Sequence, residues 1–161
     1  MEDRRMEPEK VIAGKYVLIV DDEQDILDTL VELLDMCRID TASSFGDAEK
    51  LLRENPYDIA VLDIMGVDGH ELLKIANSQN IPAVMLTAQA QTNASLNHLA
   101  EEGAAYFAPK DMMHELDIFL ADVFQAIDEG KSSWDKMLER VCISMTIKSM
   151  EQNRGSNRRP L

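Results

Sequence analysis

Five short apolar runs, each followed by a segment of helical periodicity, constrain the fold of this chain more than any other feature. Tyr16–Val20 (YVLIV) is continuously apolar, the pattern of a strand buried on both faces. It stops at Asp21-Asp22-Glu23. Ile26, Leu27, Leu30, Val31, Leu33 and Leu34 then recur at helical spacing. Ile39–Ala42 predicts a second strand. Ser44 is placed to cap the next helix, which carries Ala48, Leu51 and Leu52 on one side and ends at Asn55-Pro56. Ile59–Leu62 predicts a third strand ending at Asp63, Asp68-Gly69 a turn, and His70–Asn77 a helix. Pro82–Leu86 predicts a fourth strand ending at Thr87. Residues 93–102 read as a helix closed by Gly103, Ala105–Ala108 as a weak fifth strand, and Met112 to about Asp128 as a fifth helix ended by Glu129-Gly130.

Strands that alternate with helices imply a parallel sheet with right-handed crossovers and helices on both faces. The expected fold is therefore α/β, a (βα)5 doubly wound five-stranded parallel sheet spanning residues 15–130. In such sheets the ligand site lies beyond the carboxyl ends of the strands. Asp21, Asp22, Asp63 and Thr87 all fall there, and Lys110 follows the fifth strand.

The flanks are of different character. Residues 1–14 form a charged N-terminal extension without the apolar stretch of a secretory signal, and no apolar run reaches membrane-spanning length, so a cytoplasmic protein with no membrane contact is expected. The chain carries a net charge of −14, distributed unevenly: residues 131–161 hold seven basic and three acidic side chains, residues 1–130 nine and 27. Nucleic acid is not an expected partner of such an acidic body. Residues 131–150 read as an amphipathic C-terminal helix whose stripe of Trp134, Met137, Leu138, Val141 and Met145 packs on its own domain or, alternatively, forms a homodimer contact. Residues 151–161 read as a basic disordered tail. Two cysteines, Cys37 and Cys142, suggest neither a disulfide framework nor a zinc site. His70, His98 and His114 fit no ligand or triad spacing and read as surface or boundary residues.

The chemistry is carried by the acidic rim. Three converging carboxylates repel one another unless a cation sits between them. Oxygen ligands with no histidine or cysteine nearby suit Mg²⁺, which shares phosphate oxygens readily. An aspartate beside such an ion can attack a phosphoryl group, and phosphoryl transfer depends chiefly on positioning and charge neutralisation. The Thr87 hydroxyl and the Lys110 ammonium are then available for phosphoryl oxygens. Read alone, Asp21-Asp22 is more often a capped strand-to-helix turn, Thr87 a strand-end hydroxyl and Lys110 a solvated lysine.

Taken in order, Val20-Asp21-Asp22-Glu23, Tyr57–Asp63 followed by Asp68-Gly69, Leu86-Thr87-Ala88, and Gly103-Ala104 with Phe107 and Lys110 resemble the receiver domain of bacterial two-component response regulators over residues 15–129. The resemblance implies a flavodoxin-like fold and a single-domain, chemotaxis-regulator-like protein in a phosphorelay. It implies Asp63 as phosphoacceptor and Asp21, Asp22, Asp63 and the Met65 backbone carbonyl as Mg²⁺ ligands. Thr87 and Lys110 would act on the phosphoryl group, and Thr87 and Phe107 would form the switch on a face made by the fourth helix, fifth strand and fifth helix of the repeat. The donor would be a histidine kinase or phosphotransfer protein, and an output protein not identified by the sequence would receive the signal. The chain would not be an enzyme beyond slow self-catalysed phosphoryl transfer and hydrolysis. Met65 and Gln89, two past the acceptor and two past the threonine, offer no acid or base for water, which implies a persistent phosphoryl group.

Two departures from that pattern matter. The loop Ile64–Val67 is short and has Gly66 where the family commonly has a proline, so Gly66 is expected to adopt a backbone angle that other residues resist. Pro109 precedes Lys110 instead of following it, which leaves a cis bond at Ala108-Pro109 an open question. These departures motivate a rival reading, a phosphorylation-independent receiver-like interaction module. A phosphohydrolase would need an Asp-x-Asp pair after the first strand, and Asp21-Asp22 lacks that spacing.

Overall fold

The computed structural model of the protein describes residues 7–88 and 93–132. The amphipathic helix and tail expected over 131–150 and 151–161 lie outside the described residues from residue 133 onward, as does Gln89. The elements run α1 (Pro8–Ile12), β1 (Tyr16–Val20), α2 (Gln24–Leu33), β2 (Arg38–Ala42), α3 (Phe45–Glu54), β3 (Ile59–Asp63), α4 (Gly69–Ser78), β4 (Ala83–Thr87), α5 (Asn93–Glu101), β5 (Tyr106–Pro109), a 3-10 turn (Lys110–Glu115) and α6 (Leu116–Asp128). The five strands form one parallel sheet in the order β2-β1-β3-β4-β5. This is the doubly wound α/β fold expected from the alternating pattern.

Apolar continuity explains the strands. β3 and β4 are buried at every position and β1 at all but its first, as a central parallel strand covered by helices on both faces requires. Ser44 caps α3 by accepting the Asp47 N–H at 3.3 Å. Gly103, with φ +95°, ends α5 in a left-handed turn in which the Ala104 N–H reaches the Leu99 carbonyl at 3.0 Å.

Two elements differ from the sequence pattern. The last helix is preceded by a 3-10 turn that begins at Lys110, ahead of the expected Met112, as is common at helix N-termini. The N-terminal extension contains α1, which packs against α6. Ile12 is fully buried there, the Gly14 N–H donates to the Met36 carbonyl at 2.9 Å, and Lys15 lies 5.0 Å from the centre of the Phe124 ring. No peptide bond among the described residues is cis, Ala108-Pro109 included, and no described helix is long and apolar enough to cross a membrane.

Candidate phosphoryl and metal site

Strand register assembles the acidic rim. Val20 pairs with Leu62, so Asp21 and Asp63, the next residues on β1 and β3, leave the sheet at the same level and on the same face. Both are buried. Asp22 turns outward and is exposed, yet one oxygen from each of Asp21, Asp22 and Asp63 lies within 4.8 Å of the others. Thr87 ends β4 and is buried one register step beyond Asp63, whose partner is Leu86.

Lys110 enters this rim from the far side of the sheet. Thr87 pairs with Pro109, which places Lys110 just past the end of β5. Its ammonium lies 3.0 Å from Asp21 Oδ2 and 3.4 Å from Asp63 Oδ1. Burial alone would lower its pKa, but hydrogen bonding and charge from Asp21 and Asp63 outweigh that and hold it above its ordinary value. Pro109 before Lys110, rather than after it, thus still delivers the cation. Burial pushes the Asp21 carboxyl up. The Glu23 N–H, which donates to Asp21 Oδ1 at 2.9 Å, and Lys110 oppose this without cancelling it, and the Asp63 charge adds to it.

The loop after β3 is where the structure corrects the sequence reading. Gly66 does not take a left-handed backbone angle. Asp68 does, with φ 54°, at the N-cap of α4. Gly66 is required for space: a Cβ there would sit 2.6 Å from Asp63 Oδ2 and closer still to Asp22 Oδ1. The same residue donates its N–H to Asp63 Oδ2 at 3.1 Å. Gly69 is needed for a parallel reason, since a Cβ would lie 2.8 Å from Ile64 Cα and against the Asp63 carbonyl. The Gly69 N–H closes the loop on the Ile64 carbonyl at 3.2 Å, and Val67 is buried beneath it, leaving Met65 77% exposed at the tip.

A hard divalent cation fits these residues. The donor set is all carboxylate, Gly66 leaves the gap between Asp22 and Asp63 free of side-chain atoms, and Asp21 Oδ2 is a buried oxygen without a well-aligned hydrogen bond despite the nearby ammonium. Phe107 lies on β5 beside Met85 and is fully buried. Tyr106, its neighbour, faces the other side of the strand. It stacks on Phe119 with 5.3 Å between ring centres and donates its hydroxyl to buried Asp122 at 2.9 Å. That pair was not legible in the sequence, and neither was the contact of His70 and His98 with Glu102, described below.

Comparison with known proteins agrees with this fold. The family model for the response regulator receiver domain matches residues 17–119. The heme response regulator HssR of Staphylococcus aureus is 43% identical over 77 residues, covering 45% of this chain and 34% of HssR. The chain spans about a third of the length of the curated relatives it matches. Among solved structures, the receiver domain of the Francisella response regulator 1452 is 27% identical with a TM-score of 0.63, covering 71% of this chain and 99% of that one. The non-phosphorylated HemR receiver domain of Leptospira biflexa is 34% identical with a TM-score of 0.61, covering 69% and 94%.

Proposed function

This chain belongs to the response regulator receiver family, and from that premise we propose that Asp63 accepts a phosphoryl group and that the modification switches a protein-binding face. One observation carries the proposal: a buried aspartate at a strand end is held between a lysine, a backbone N–H and two further carboxylates. An Asp63 carboxylate oxygen forms the new bond to phosphorus while the bond from phosphorus to the donor's imidazole nitrogen breaks, its electron pair and a proton staying with the imidazole. The donor is a histidine kinase or phosphotransfer protein. Asp21, Asp22, Asp63 and the Met65 carbonyl would hold Mg²⁺, which supplies charge neutralisation for the phosphoryl oxygens.

The chain's own residues do the rest. Lys110, already between Asp21 and Asp63, takes up a phosphoryl oxygen and compensates the added charge. Thr87 supplies a hydroxyl donor from the adjacent strand end, and its displacement is passed along β5 to Phe107. Only slow self-catalysed transfer and hydrolysis accompany this, because Met65 brings no acid or base to the site. The output is a protein contact, in the cytoplasm, and a second copy of the chain is one candidate.

Treatment with acetyl phosphate or beryllofluoride and Mg²⁺ tests the proposal. A single adduct is expected on wild type and none on Asp63→Asn. Absence of any adduct on the wild-type chain, with partner binding unchanged in Asp63→Ala, would leave the phosphorylation-independent interaction module as the better reading.

A further inference from the structure

Between α4 and α5, two histidines 28 positions apart in the sequence meet on one carboxylate. Glu102 Oε2 lies 2.6 Å from His70 Nδ1, and Glu102 Oε1 lies 3.0 Å from His98 Nε2. His70 is in the first turn of α4. His98 is one turn before Glu102 at the end of α5. We propose that Glu102 is the centre of a proton-sensitive clasp, in which protonation of His70 and His98 tightens the hold of α4 on the C-terminal end of α5.

The backbone supports this arrangement. Asn77 Nδ2 donates to the Glu102 carbonyl at 2.8 Å, so α4 grips Glu102 by its main chain as well. Gly103 lies against Asn77 so closely that a Cβ would sit 2.5 Å from Asn77 Nδ2. The carboxylate is thus presented from a fixed point. Among the described side chains of α5 only Leu99 is buried, and a cavity of about 350 Å³ lined by Ile64, His70, Ala94, Ser95, His98 and Leu99 lies between α5 and α4.

A neutral imidazole can donate one hydrogen bond to Glu102. An imidazolium adds charge to that bond and strengthens it. The other charged groups around the clasp are Glu71, Lys74 and Asp68 on the α4 side and Glu101 on α5. Lys74 pairs with Glu71 at 2.9 Å and also acts on Glu102. Burial alone would raise the Glu102 carboxyl. The His70 hydrogen bond and the His70, His98 and Lys74 charges outweigh this and hold it below its ordinary range. The carboxylate's contribution is therefore present above the ordinary glutamate range and lost only as pH falls through its depressed pKa. Protonation of the imidazoles adds charge assistance to both contacts, so the clasp tightens on acidification until Glu102 itself takes up a proton.

Amide hydrogen exchange on the full-length chain, corrected for intrinsic rates and with no phosphoryl analogue present, tests the clasp. Protection of α5 amides is expected to be about threefold greater at pH 5.5 than at pH 8 in wild type, partly reduced in His98→Gln and independent of pH in Glu102→Gln. Equal pH dependence in wild type and Glu102→Gln, or none in wild type, overturns the proposal.

Discussion

At Gly66 the acidic rim leaves no volume for a side chain. The missing Cβ keeps Asp22 and Asp63 close enough to share a cation and lets the Gly66 N–H reach Asp63. Gly66→Ala is therefore expected to weaken Mg²⁺-dependent beryllofluoride binding at least tenfold, with an overpacking cost of about 1–3 kcal/mol in urea unfolding. Unchanged affinity in that variant would show that the gap is not needed. Much of the site was legible at this scale. Asp21, Asp63, Thr87 and Lys110 each lie at or just past a strand end, and strand ends can be read from apolar runs. The reason for Gly66 was not legible. A backbone angle is a local property, but the clash that excludes a Cβ involves Asp22, 44 positions away in the chain.

Helix α1 shows how an element escapes periodicity. Pro8–Ile12 spans little more than one turn, too short for an apolar stripe to repeat. Its place is decided by Ile12, which fills a gap beside α6. Ile12→Ala should cost about 2–4 kcal/mol, measured by urea unfolding. A loss within the range of a surface substitution would mean that α1 is only loosely attached. The lower end of the sheet contains a second association of distant residues. Asp40 on β2 accepts the Tyr16 hydroxyl at 2.6 Å and the Tyr57 hydroxyl at 2.7 Å. The Asp40 hydrogen bond, then burial, raises Tyr16. Burial, then Asp40, raises Tyr57 further. With folded pKa values above the unfolded one, these phenols contribute stability that is full below the ordinary tyrosine pKa and lost as pH rises through the folded values. Phenolate absorbance should show Tyr16 and Tyr57 titrating above the ordinary range until the chain unfolds in alkali, and Asp40→Ala should bring both back toward it. Ordinary titration of both in wild type would contradict this.

Across the whole molecule, the buried acidic rim sets stability against function. The folded state holds a proton on Asp21 more tightly than the unfolded chain does, so this contribution is present below the ordinary aspartate pKa and lost as pH rises through the raised one. A bound cation should offset that loss near neutral pH. Thermal denaturation is expected to show stabilisation by Mg²⁺ of about 2.7 kcal/mol at a hundredfold excess over its Kd, disappearing in acid as protons displace the ion. No response to Mg²⁺ near neutral pH would rule out the rim as its site. The sequence by itself determined the alternation of strands and helices, the sheet class and the acidic residues at its carboxyl edge, because period and strand ends are local quantities carried by neighbouring residues. Only the tertiary structure decided that Gly66 is a matter of space, that α1 belongs to the core, and that His70 and His98 meet on Glu102. Each depends on which surfaces come together, and that is settled by the packing of elements far apart in the chain.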